Sequence, residues 1–97
     1  MAVHRKCLME TFTDQGQLED RPCQVRISEG TISVSHEEGG ETLVYEGAEV
    51  EPGHFKLGCP PVKGYATLHR FKDDDVLDGW YVQEGFEGMW RVRLDEE

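Results

Sequence analysis

Apolar and polar residues alternate with period two through much of the chain. In "CQVRIS" (23–28) Val25 and Ile27 share one face; in "TISVSH" (31–36) Ile32 and Val34 oppose Thr31, Ser33 and Ser35. Successive side chains on a strand point to opposite faces, so such runs predict half-buried strands. Glu29-Gly30 between them predicts a two-residue turn, with glycine where positive φ is needed. "ETLVYEG" (41–47) follows the turn-forming "EEGG". "HFKLG" (54–58) and "GYATLHRF" (64–71) are divided by "CPPVK", whose Pro60-Pro61 cannot donate ladder hydrogen bonds and belongs in a loop. For 64–71 the inward face stays open: either Ala66, Leu68 and Arg70, or Tyr65, Thr67, His69 and Phe71. Residues 5–13 are ambiguous between strand and helix. "KCLMET" has helix propensity, but Thr11-Phe12-Thr13 and Gly16 cut it short, and an opening strand over 6–12 is preferred.

The stretch "LDGWYVQEGFEGMWRVRL" (77–94) holds two apolar runs around a Glu/Gly-rich centre, the pattern of a hairpin. Trp80 and Val82, then Trp90, Val92 and Leu94, all fall at even positions. They share a face only across a loop of odd length, and Phe86-Glu87-Gly88 supplies one. That register places Trp80 opposite Leu94, Val82 opposite Val92 and Glu84 opposite Trp90. Tyr81, Gln83, Met89, Arg91 and Arg93 take the other face, where ion pairing is expected for the two arginines. Both indoles then enter the core together.

Seven or eight short strands with short connections predict an all-β fold. The expectation is a single antiparallel meander over 1–97, curled into a small up-and-down barrel or barrel-like sheet, with 95–97 a solvated acidic tail. The alternative is an open sheet whose edge a second copy covers.

Twenty acidic against ten basic residues give a formal net charge of −10. Such a field repels phosphate backbones and argues against nucleic acid and anionic membranes as partners. It suits solubility, or a basic protein as partner. The cysteines Cys7, Cys23 and Cys59 are odd in number and form no CxxC. With no signal-like or membrane-spanning apolar stretch, a reducing cytoplasm is the expected setting.

The segment "GYATLHRF…LDGWYVQEGFEGMWRVRL" resembles the C-terminal half of small bacterial proteins of unassigned activity that end in "EGxWxExGxxGMWRIxL"-like hairpins. Asp78-Gly79 stands at the acidic-Gly position, and Gly88-Met89-Trp90-Arg91 matches closely. The likeness implies a β-hairpin end and transfers no chemistry. In broader shape the chain is similar to a shortened lipocalin or fatty-acid-binding barrel, an architectural likeness only.

Candidate chemistry is sparse. His54, Cys59 and His69 are the candidate metal ligands, on two neighbouring predicted strands, but without the closely spaced pairs that zinc sites favour; no metal or other cofactor is expected. "DDDVLDG" (73–79) fails as a calcium loop, because Leu77 or Gly85 falls where an oxygen ligand belongs. GxSxG, HExxH, P-loop and GxGxxG motifs are absent, so no enzyme is expected. An interior cluster of Tyr65, His69, Trp80 and Trp90 is the candidate ligand site. The expected function is binding of a small apolar or aromatic ligand. The alternative is a protein-interaction module that uses an acidic surface or an open sheet edge, as a homo-oligomer or with a basic partner.

Overall fold

The computed structural model describes residues 2–72 and 74–94. Among the described residues nine strands follow in chain order: β1 (Ala2–Thr13), β2 (Gly16–Gln17), β3 (Arg21–Ser28), β4 (Thr31–Glu38), β5 (Glu41–Glu51), β6 (His54–Cys59), β7 (Gly64–His69), β8 (Val76–Gln83) and β9 (Phe86–Arg93). A 3-10 turn, Pro60–Val62, joins β6 to β7 at the two prolines. The 5–13 region is strand throughout. The acidic end at 95–97 lies outside the described residues.

Each strand from β3 to β9 pairs antiparallel with its sequence neighbour, and β1 pairs with both β3 and β9. The register Leu8↔Arg93 to Phe12↔Met89 closes eight strands into an up-and-down barrel. Closure removes the open edge that a second copy would otherwise cover. The two-residue β2 pairs with the end of β1 just beyond the start of β3, so β2 and β3 are one interrupted partner of β1. A register shift between His4 and Cys7 changes which parity of β1 looks inward. His4 lies inside before the shift; Cys7, Met9 and Thr11 lie inside after it.

Turn chemistry sets the register of the hairpins. Glu29-Gly30 (φ 40° and 83°), Gly39-Gly40 (61° and 82°) and Glu84-Gly85 (49° and 84°) all carry consecutive positive φ values, as type I′ turns require. The third overturns the expected 86–88 loop. Gln83 faces Phe86 and Gly79 faces Trp90, so the inward residues of the last hairpin have opposite parity. Leu77, Gly79 and Tyr81 look inward from β8, as do Trp90, Val92 and Leu94 around β9. Trp80 instead stands on the outer wall, 37% exposed against 3% for Trp90, and its indole N–H donates to Glu87. Gly88 has a packing role rather than a turn role: a Cβ there would overlap the carbonyl oxygen of Phe12 on β1.

The middle of the barrel is filled. Met9, Val25, Val34, Tyr45, Leu57, Leu68, Leu77 and Val92 are its largest fully buried side chains. Ala66 and Leu68 resolve the open choice on β7, leaving Tyr65, His69 and Phe71 outside. Tyr45 fits because Gly64 has no Cβ, which would collide with its hydroxyl. On the outside Arg91 pairs with Asp78 at 2.9 Å, and Arg93 pairs with Glu10 at 2.6 Å across the closing seam. The Arg91–Asp78 pair is exposed and screened by water, whereas Glu10 in the seam pair is largely covered.

Burial separates the two tryptophans energetically. Trp90→Ala is expected to cost about 3–5 kcal/mol by urea unfolding, and Trp80→Ala about 1 kcal/mol or less. Gly79→Ala is expected to destabilise strongly, although alanine normally stiffens the unfolded chain favourably. The added Cβ would overlap the Thr67 carbonyl oxygen on β7. An unchanged unfolding midpoint for Gly79→Ala would contradict that contact.

Candidate functional site

One end of the barrel carries a cavity of about 390 Å³. Thr11 and Thr13 come from β1, Leu18 from the β2–β3 link and Arg21 from the start of β3. His36 and Glu38 end β4, Tyr81 and Gln83 end β8, and Phe86 and Trp90 come from β9. These residues converge because antiparallel strands alternate direction: the ends of β1, β4 and β8 meet the starts of β3 and β9. Beside the cavity the 3-10 turn lies against the same end. Val62 packs on the core, and its carbonyl accepts the Glu84 N–H at 3.1 Å. A larger groove of about 520 Å³ runs over Gln24, Ser35 and Thr42 and shares Arg21 and His36 with the mouth, but it is more open to solvent and lacks Trp90 and Tyr81.

The floor is aromatic. Tyr81 stacks on Trp90 with centroids 4.6 Å apart and an interplanar angle of 11°. The Tyr45 ring meets the indole edge-on at 4.9 Å, and His36 does so at 5.9 Å. Offset and edge-to-face contacts of this kind hold rings in fixed orientation. Leu18 and Phe86 stand at the rim with 45% and 78% exposure, well above what a packed leucine or phenylalanine shows.

Above the floor runs a polar chain. The Tyr45 hydroxyl donates to Gln83 Oε1 at 2.7 Å, and Gln83 Nε2 donates to Glu38 Oε2 at 3.0 Å. Arg21 Nη1 lies 3.4 Å from the same oxygen, and His36 Nε2 lies 3.6 Å from it. The last distance exceeds a hydrogen bond. Burial pushes the His36 pKa down against the opposing pull of Glu38, so the ring is neutral at neutral pH. Burial raises Glu38, but the Gln83 hydrogen bond with Arg21 and His36 outweighs it and holds the carboxyl below its usual range. Desolvation holds the Tyr45 and Tyr81 hydroxyls above the ordinary phenol range, so both stay protonated donors.

His36 Nδ1 is buried without a hydrogen-bond partner. Orphaned buried polar atoms are uncommon and cost about 1–3 kcal/mol. With Nε2 toward the Glu38 carboxylate, the proton belongs on Nε2, and Nδ1 is an acceptor.

Of the residues picked from the sequence, only Trp90 reaches this cavity. Tyr65, His69 and Trp80 lie on the outer face, because β7 buries its even positions and the Glu84-Gly85 turn sends Trp80 outward. The expected interior cluster does not form. His54 and His69 are cross-strand partners on the outer wall, whereas Cys59 is buried inside opposite Gly64. No group of three or more His, Cys, Asp or Glu side chains among the described residues is arranged to hold a metal ion. His36 was detectable: it continues the inward parity of Ile32 and Val34, and a polar residue there demands a partner. Glu38, Gln83 and Arg21 carried no such signal.

No protein-family model, curated protein or solved structure matches the chain. No helix among the described residues is long and apolar enough to cross a membrane.

The lowered His36 pKa has a definite sign in stability. Below the ordinary imidazole value the unfolded chain takes up the proton first, so acidification favours unfolding until the folded value is passed. The urea midpoint is therefore expected to fall as pH drops from about 7.5 to about 5.5. His36→Gln should flatten that dependence, and an equal slope in the variant would exclude His36 as its source.

Proposed function

We propose that this barrel binds a small planar ligand at its mouth, one carrying an N–H or O–H donor on an aromatic or heteroaromatic body. The observation that carries the reading is the Trp90–Tyr81 stack in the cavity lining, joined there by His36, whose buried Nδ1 has no hydrogen-bond partner. A cavity near 390 Å³ falls at the small end of the roughly 300–1,000 Å³ typical of small-molecule sites. The filled middle of the barrel restricts the ligand to the mouth, unlike a long-chain lipid that would need the interior. Glu38 and Glu84 beside a single Arg21 bias the mouth toward neutral or cationic ligands, in keeping with the net charge of −10. Exposed Leu18 and Phe86 provide apolar cover over the occupant. The reading is of binding without catalysis. Barrel closure removes the open sheet edge on which an edge-pairing module would rely.

The test uses Trp80→Phe, which leaves Trp90 as the one indole. A panel of N–H heterocycles and aryl amines is titrated by fluorescence, with amide NMR shifts locating the contact. A binder is expected to change Trp90 emission and to shift residues around 36–38 and 83–86. Phe86→Ser and Leu18→Ser should weaken it with little change in stability, and His36→Leu should weaken it by about tenfold or more, as loss of one buried hydrogen bond implies. Shifts confined to the outer wall, or indifference to all three substitutions, would refute a mouth site.

A further inference from the structure

The outer wall of β6 and β7 brings two exposed imidazoles together. His54 and His69 are direct cross-strand partners, and their rings meet edge to face with centroids 4.5 Å apart. The register continues the row on both sides: Glu51 faces His54 from β5, and Asp78 faces His69 from β8. All four positions are exposed. Each imidazole has the other as its ring contact, with no hydrogen bond or ion pair to another described residue. Asp78 is committed to Arg91, at 2.9 Å, and so offers charge rather than a ligand atom.

We propose that His54 and His69 form an open chelate for a divalent transition-metal ion on the barrel wall, separate from the mouth. Imidazole nitrogens suit zinc, copper and nickel, and bind zinc at about 2.0–2.1 Å. Two rings can share one ion only if they already lie side by side, and antiparallel pairing supplies that placement without loop rearrangement. The flanking carboxylates lower the cost of bringing a dication to the surface. Two nitrogens leave the remaining coordination positions to water, since no group of three or more His, Cys, Asp or Glu side chains is gathered among the described residues. Chelation by a preformed pair differs from diffuse attraction to an acidic surface, because imidazole selects transition metals over calcium and magnesium.

Zinc ion is the probe, titrated by calorimetry into the full chain, with imidazole proton resonances followed by NMR. The expected result is one zinc site per chain whose binding shifts the His54 and His69 ring signals. His54→Ala and His69→Ala should each weaken it by about tenfold or more, by the scale on which metal sites respond to lost partners. Both residues are exposed, so the variants should melt like the parent, which separates lost chelation from lost folding. Calcium at the same concentration should not displace the zinc. Unchanged zinc affinity in the double variant, or displacement by calcium, would overturn the chelate and leave the mouth-site reading untouched.

Discussion

Pairing of Leu8–Phe12 with Met89–Arg93 joins the first strand to the last, and the barrel depends on that seam. It satisfies backbone groups that would otherwise form two exposed edges, and it brings residues far apart in the chain into one wall. The seam is built for close approach. Gly88 lets the Phe12 backbone come near, Thr11 faces Trp90 on the inner side, and Glu10 meets Arg93 on the outer. Closing a loop over nearly the whole chain is entropically costly, whereas the hairpins that turn at 29–30, 39–40 and 84–85 rest on local positive-φ turns.

Once closed, the barrel has little interior to spare. Large side chains fill its middle, and glycines mark where backbone or ring must pass close by, as Gly64 does for Tyr45 and Gly79 for the Thr67 carbonyl. Polar groups are driven to the ends, where water and one another satisfy them. The mouth cavity follows from this arrangement. Tyr45 reaches up from the filled middle to Gln83, Gln83 holds Glu38, and Glu38 gathers Arg21 and the neutral His36 above an indole floor. The chain of hydrogen bonds orients the mouth but leaves one imidazole nitrogen unspent.

Much of the fold was legible because it rests on local chemistry. Alternation in 23–28 and 31–36, the glycine turns at 29–30 and 39–40, and the prolines at 60–61 each read correctly from a few neighbouring residues. The final hairpin did not. "QEGFEG" contains two Glu-Gly dipeptides, and either can end a strand. Only the contact of Gly88 with Phe12, remote in the chain, shows that the second glycine is needed for packing and the first for the turn. A one-residue change of loop parity then moves Trp80 from core to wall.

The candidate site divides in the same way. Its inward histidine could be read from parity on β4, and the cross-strand placement of His54 and His69 from adjacent strands. The meeting of Arg21 and Glu38 on the β3–β4 hairpin with Gln83 and Trp90 on the β8–β9 hairpin could not, because only barrel closure through β1 brings the two hairpins together. By itself the amino-acid sequence determined the strands, most of their turns and the acidic charge, since these depend on period-two patterning, backbone φ preferences and composition. Tertiary structure alone decided which indole is buried and which polar residues meet at the mouth. The first hangs on the loop parity of the last hairpin and the second on register across the closing seam, and in either place one residue of slip reverses every side chain.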